Sequence, residues 1–331
     1  MKDLIKKLVE TPGPSGHEEQ IRALIRSEVA PFADEIQVDA MGSLIVRKGS
    51  KTGTGKRIMI AGHMDEIGVM ATHVDDNGFV RFTSIGGVSS LTCIGGRVLF
   101  MNGVRGVIYT ESITDYTKMP SLDKLFIDVG ASSREKCPVS VGDSAVFDRP
   151  FLDMGDRIVS KALDDRIAAA IMIESLKQVK DTSNELYFVF TVQEEVGLRG
   201  ATTAAYHVNP EIGIAVDVCD SGDTPKGEKV AVSLGKGPTV KIFDPYIVSD
   251  RRLIDWMIET AEKHDIPYQR EVLMDGGTDA AAIQLTRAGV PAICMSIATR
   301  YIHTPSEMVD MNDVENAVKL LTALLSSTTE L

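Results

Sequence analysis

ELYFVFTVQEEVGLRGA, residues 185–201, decides the fold. Leu186 to Val192 is rich in aromatic and β-branched residues and suits a buried strand. It stops abruptly at two adjacent acids, Glu194 and Glu195. An ionised carboxylate at the end of a buried strand costs several kcal/mol unless something positive compensates it. A solvated turn is the bland explanation, and a metal ion is the sharper one.

Similar patterns lie on either side. SLIVRK (43–48), RIMIAG (57–62), IGIAVDV (212–218) and AICMSI (292–297) read as strands. DDRIAAAIMIESLKQVK (164–180), RRLIDWMIETAEKH (251–264) and VENAVKLLTALLS (314–326) read as helices, the first with Ile167, Ile171 and Val179 on its buried stripe. Residues 1–30 read as two amphipathic helical pieces separated by TPGPSGHE. Strands alternating with helices predict an α/β layer structure around a largely buried sheet. Between residues 69 and 159 short β-prone segments alternate with turn signals (GGRVLFM, GVRGVIYT, KLFIDVG, DSAVF), and helical periodicity nearly vanishes. The expected organisation is one α/β domain, 1–68 plus 160–331, interrupted by a β-rich insertion, 69–159.

Composition narrows the function classes. The 331 residues are 44% hydrophobic and 25% charged, as in an ordinary globular protein. A net charge of -12 argues against a nucleic-acid partner, because phosphate binding draws on clustered Lys and Arg. No apolar run approaches the roughly 20 residues of a membrane span. Cys93, Cys137, Cys219 and Cys294 lie far apart without a CxxC pair, so a reducing, cytoplasmic setting is expected. Three short matches fail on inspection. GHEEQ (16–20) has Ile21 where HExxH needs histidine, GSKTGTGKR has Ser50 and Arg57 at required P-loop positions, and VSLGKG has Ala231 in place of the nucleophile-elbow glycine.

Five stretches put metal-competent side chains at strand ends or a helix start: His63 and Asp65 in MIAGHMDEIG, Asp164 and Asp165 in SKALDDRIAAA, Glu194 and Glu195 in FTVQEEVG, Asp217 in GIAVDVCD, and His303 in SIATRYIHTPSE. Each has an ordinary explanation alone: an N-cap, a loop histidine, a turn acid. Together they are harder to dismiss, since sites in open α/β sheets collect beyond the carboxyl ends of the strands. Converging carboxylates without cations would repel one another strongly. Ligand counting suggests two ions, one held by His63 and Asp217, the other by His303 and one glutamate. Asp164 suits a shared bridge between metals roughly 3.5–4 Å apart. Imidazole and carboxylate donors fit Zn, Co or Mn, and Asp65 is placed to orient His63 from behind. Two adjacent glutamates can then divide two jobs: one binds metal, and its neighbour takes the proton of a metal-bound water. Since adjacent strand residues face opposite ways, a bend must turn both inward, and Gly197 is consistent with one.

GHMDEIG, KALDDR, QEEVGLRGA, AVDV and IHTPSEMV, in this order, resemble the tetrahedral cytosolic aminopeptidases. That family includes bacterial glutamyl aminopeptidases and relatives once labelled cellulases, within the co-catalytic two-metal exopeptidases. The resemblance spans nearly the whole chain. It implies a catalytic α/β/α sandwich with a mixed central sheet, a PDZ-like insertion, and twelve subunits in a hollow tetrahedron. It also implies His63 and Asp217 on one metal, Glu195 and His303 on the other, Asp164 bridging, Glu194 as general base activating a bridging water, and Asp65 in support. Asp165 is expected as helix-start support. The implied substrates are peptides, cleaved at the first bond, with neutral or hydrophobic first residues favoured and acidic ones as runner-up. GGTDAAAI (276–283) is read as a glycine loop into a helix capped by Thr278 or Asp279. The competing readings are a two-metal deacylase of small N-acyl compounds, a glycosidase, for which neighbouring Glu194 and Glu195 make a poor pair, and a non-catalytic peptide-binding assembly module.

Overall fold

Four parallel strands, Glu185–Thr191, Arg57–His63, Ile212–Asp220 and Ala292–Arg300, lie side by side in that order at the centre of a mixed sheet. The computed structural model describes residues 1–49, 55–113, 115, 117–180, 182–227 and 229–326. Successive strand residues alternate between faces, so Leu186, Phe188 and Phe190 join one core while Tyr187 and Val189 pack into the other. Both faces are covered, which is why the run reads as continuously apolar. One face carries the helices Lys2–Glu10, Glu19–Val29, Leu163–Gln178, Arg251–Lys263 and Met311–Ser326. The other carries Arg199–Val208 and Asp279–Gln284. Antiparallel strands extend both sides: Glu35–Val38 and Leu44–Gly49 beyond one edge, Glu307–Asp310, Arg157–Ser160 and Leu152–Asp153 beyond the other. The expected α/β/α arrangement with a mixed sheet is present.

The β-rich stretch forms a second unit. Among the described residues Gly68–Val74, Val80–Ile85, Arg97–Phe100, Arg105–Thr110, Leu125–Asp128 and Ser144–Phe147 close into an antiparallel barrel. It has its own core, which includes Val69, Val80, Phe100, Ile108 and Phe147. The chain rejoins the large sheet at Leu152–Asp153 and Arg157–Ser160. Of the GSKTGTGKR stretch, residues 50–54 lie outside the described residues. No helix among the described residues is long and apolar enough to cross a membrane.

The helix Leu163–Gln178 is buried on nearly every side rather than along one stripe. It sits between the sheet and the helices Lys2–Glu10 and Met311–Ser326. Small side chains permit this: a Cβ on Gly62 would stand 3.0 Å from Ala168 Cβ and 2.9 Å from Met172 Sδ. The close approach brings the helix start against the end of the strand that carries His63.

A buried ionic knot fixes the same region. Glu66 takes Lys161 Nζ at 2.9 and 2.7 Å, the Gly13 N–H at 3.1 Å and Arg166 Nη2 at 3.4 Å. Arg166, fully buried, also donates to the Leu8 and Thr11 carbonyls at 2.6 and 2.8 Å. The knot joins the end of the first helix, the entry to the barrel and the start of the central helix. Breaking a buried pair from one side strands the other charge. Arg166→Ala is therefore expected to cost about 3–5 kcal/mol, read as a lower urea midpoint for the metal-free protein; an unchanged midpoint would contradict the role.

Candidate metal centre

His63 ends its strand, and parallel pairing sets it beside Thr191. Asp217 lies in the neighbouring strand beside Ser296, and His303 follows the end of Ala292–Arg300. Asp164 opens the central helix, behind Ala162 in left-handed backbone and a cis peptide to Asp165. Two clusters result, His63–Asp164–Asp217 and Asp164–Glu195–His303, each with ligand atoms within 4.8 Å of one another. Asp164 belongs to both. Its Oδ1 is 3.0 Å from His63 Nε2, and its Oδ2 is 3.4 Å from His303 Nε2. Glu195 Oε2 stands 3.2 Å from the same nitrogen of His303. Glu194 Oε2 is 3.9 Å from His63 Nε2.

The bend that turns both glutamates inward is made by Asp65. Its buried carboxylate accepts the N–H of Glu194 at 3.0 Å and of Glu195 at 3.3 Å, and the Ser15 hydroxyl at 2.6 Å. Gln193 takes left-handed backbone (φ 55°) as the strand ends, and Gly197 (φ 120°) closes the turn with its N–H on the Glu194 carbonyl at 2.9 Å. The Nδ1 of His63 faces the backbone carbonyl of Asp65 at 3.1 Å, nearer than the Asp65 carboxylate at 3.6 Å. Asp165 is fully buried, with Oδ2 taking the His63 N–H at 3.3 Å and Oδ1 the Ala168 N–H at 3.3 Å, which makes it a helix-start support.

One residue of the region, Glu307, escaped the sequence reading, and a second, Asp279, reads there only as a helix cap. Glu307, within IHTPSEMV, is buried and accepts the backbone N–H groups of Asp164 and His303, each at 3.0 Å, thereby fixing two elements at once. Asp279 receives the Thr191 hydroxyl at 2.5 Å, and burial pushes its carboxyl up to about 6. Thr278 caps the helix Asp279–Gln284 through the Ala280 N–H, and it also lines the cavity with Gly276 and Gly277. That cavity, about 640 Å³, opens over both clusters and is walled by Leu198, Val218, Tyr246, Leu273 and Ile302. Lys241 at its edge is paired with Glu271 and, at 3.4 Å, Asp244.

The electrostatics show the strain of bringing these groups together. Burial, with neighbouring acids including Asp217 and Asp279, raises the Glu194 carboxyl well above its usual range. Burial and Asp164 likewise raise Asp217, and Glu195 is raised for the same reasons. Burial opposes charge on His63, yet Glu194, Asp164 and Asp65 push it well above the ordinary imidazole range. His303 is pushed up to about 12 against its burial by Asp164 and Glu195. Asp164 is held low despite burial, because both imidazoles hydrogen-bond to it. Glu195 Oε1 is buried with no hydrogen-bond partner. Carboxylates that repel, an orphaned carboxylate oxygen and imidazole nitrogens aimed at shared oxygens fit divalent cations.

Known proteins share this architecture. The M42 glutamyl aminopeptidase family matches residues 42–320, and the chain belongs to that family; it is a metallo-aminopeptidase. An aminopeptidase from the archaeon Desulfurococcus kamchatkensis is 41% identical, with 99% of this chain and 94% of that one covered at a TM-score of 0.95. The TET1 peptidase of Pyrococcus horikoshii, which can assemble into a tetrahedron or a large octahedral shell, is 34% identical over 100% of this chain and 99% of that one, at a TM-score of 0.89. The lysyl aminopeptidase of Pyrococcus furiosus is 36% identical over 98% and 96% of the two chains.

Because Glu307 holds the backbone of two cluster residues, Glu307→Ala is expected to weaken metal binding on the order of 10–100-fold, the usual effect of losing an outer support. Calorimetric titration checks this, and wild-type affinity in the variant would contradict it.

Proposed function

We propose that the chain removes the first residue of peptides with two divalent ions per subunit, zinc or cobalt with manganese also compatible. His63 and Asp217 hold one, Glu195 and His303 the other, and Asp164 is shared. The observation that carries this is Asp164 offering one carboxylate oxygen to each histidine. Bound there, the ions supply Lewis-acid polarisation of the scissile carbonyl and lower the pKa of the attacking water. Glu194 is the general base. Its carboxylate borders the same cavity without a place in either cluster, so it is free to take the water proton and return it to the leaving amine. Asp65 sets the position of that carboxylate through the Glu194 N–H.

The cavity supports a neutral or hydrophobic first residue, since Leu198, Val218, Leu273 and Ile302 wall it and the charge of Lys241 is already met by Glu271. An acidic first residue has less support for the same reason. The 36% identical lysyl aminopeptidase and the exposed Asp275 on the rim favour a basic residue as a second reading. In this reading residues 69–159 form the insertion, with Leu152–Asp153 and Arg157–Ser160 at its close pairing into the catalytic sheet, and the remainder forms the catalytic domain. The likeness to TET1 structures, one of them a dodecamer, supports a twelve-subunit tetrahedron. Four free cysteines support a cytoplasmic home.

Glu194→Gln is expected to keep both ions and lose about 10²–10⁴-fold in kcat, the usual worth of a general base. Normal turnover of leucyl-p-nitroanilide by that variant would sink the assignment. The pH dependence follows from the raised imidazoles. The surrounding carboxylates favour the protonated rings of His63 and His303, and binding requires neutral rings, so loading releases protons and affinity rises with pH. Zinc titrations in buffers of different ionisation enthalpy should give buffer-dependent heats, with affinity still rising above about pH 7, beyond the ordinary imidazole range; buffer-independent heats would contradict this.

A further inference from the structure

The barrel reaches the second cluster through a pair of glycines. After the barrel strand Val80–Ile85 the chain runs through Gly86 and Gly87 and passes beside Glu195 and His303. A Cβ on Gly87 would stand 2.3 Å from His303 Nδ1 and 2.8 Å from its Cε1. A Cβ on Gly86 would stand 2.9 Å from Glu195 Oε2 and 2.9 Å from Ile67 Cγ2. Real Cβ atoms do not approach so closely, so the backbone lies against the imidazole edge as only glycine permits. His303 needs such a wall. Its side chain is 39% exposed, against 2% for His63, and its backbone is left-handed (φ 60°) with its N–H on Glu307. Glu307 fixes the main chain and leaves the ring torsions free.

We infer that Gly86–Gly87 is the wall that orients the His303 ring, with Gly87 a positioning residue for the cluster Asp164–Glu195–His303. The barrel is thereby mechanically part of one metal pocket and does not touch the other cluster through this loop. The consequence for metal rests on the two-ion reading above; the wall itself does not.

Gly87 is the clean probe, because its backbone is outside the left-handed region and the three atoms nearest an alanine Cβ there all belong to the imidazole, whereas Gly86 (φ 74°) would be strained by any side chain. In crystals of the metal-free protein, Gly87→Ala is expected to swing the His303 ring away from Asp164 while the barrel and His63 stay in place. In zinc titrations it should weaken one of the two binding events by at least about tenfold, the scale of losing a ligand's support, and leave the other unchanged. In a His303→Ala background the same change should add nothing, since the partner is gone. An unmoved ring in Gly87→Ala would overturn the inference, as would an equal further loss of metal in the His303→Ala background. If the wild-type chain bound a single ion while the ring still moved, the wall would stand and the two-ion reading would fall.

Discussion

The organising constraint is the repulsion among carboxylates drawn to one end of a parallel sheet. Asp164, Glu194, Glu195 and Asp217 are all buried or nearly so, within a few ångströms of two imidazoles. In a low-dielectric site such a group is stable only if cations or protons answer its charge. Burial and mutual repulsion raise the carboxyls of Glu194, Glu195 and Asp217, which favours protons in the place a cation would fill. Divalent ions would do it with geometry as well as charge, and in the proposed mechanism they would leave Glu194 able to exchange a proton. Catalysis and the need for compensation therefore have one origin.

The scaffold around the clusters serves to keep repelling groups from turning outward. Each support is a buried acid acting on backbone N–H groups rather than on the ligands' side chains. Asp65 holds the glutamate pair, Glu307 holds Asp164 and His303, and Asp165 holds His63. Backbone supports suit this task because they fix where a side chain starts without occupying its ligand atoms. They also connect elements far apart in sequence, so the site is as rigid as the packing of the central helix against the sheet. That packing depends on the alanine run Ala168–Ala170 and on Gly62, which let the helix start reach the strand ends.

Much of the fold was legible because buried strands and helices carry their periodicity openly. His63 and Asp217 stood out for the same reason, a polar group at the close of an apolar run, although the strand at Asp217 runs on to Asp220. Asp164 was visible as an acid at a helix start, although the turn before it, with Ala162 left-handed, gave no compositional sign. The bend at Gln193 was hidden too, since it uses left-handed backbone on a residue that rarely takes it, while the legible Gly197 only finishes the turn. Asp65 reads as a support for His63, yet its carboxylate takes the N–H groups of Glu194 and Glu195, a contact across about 130 residues that spacing cannot reveal. Glu307 looked like an ordinary residue of a motif because its partners are main-chain groups. The glycine pair at 86–87 reads as a turn in a β-rich segment, and only the closed barrel shows what it faces.

The proposed sharing of Asp164 by two ions is the point on which the chemistry turns. Anomalous diffraction from zinc-loaded crystals, collected on both sides of the zinc edge, locates such ions directly. Two peaks are expected, roughly 3.5–4 Å apart, with one Asp164 oxygen on each, His63 and Asp217 on the first, and Glu195 and His303 on the second. A fully loaded crystal with no peak beside Asp164, or with Asp164 turned away from both histidines, would contradict it.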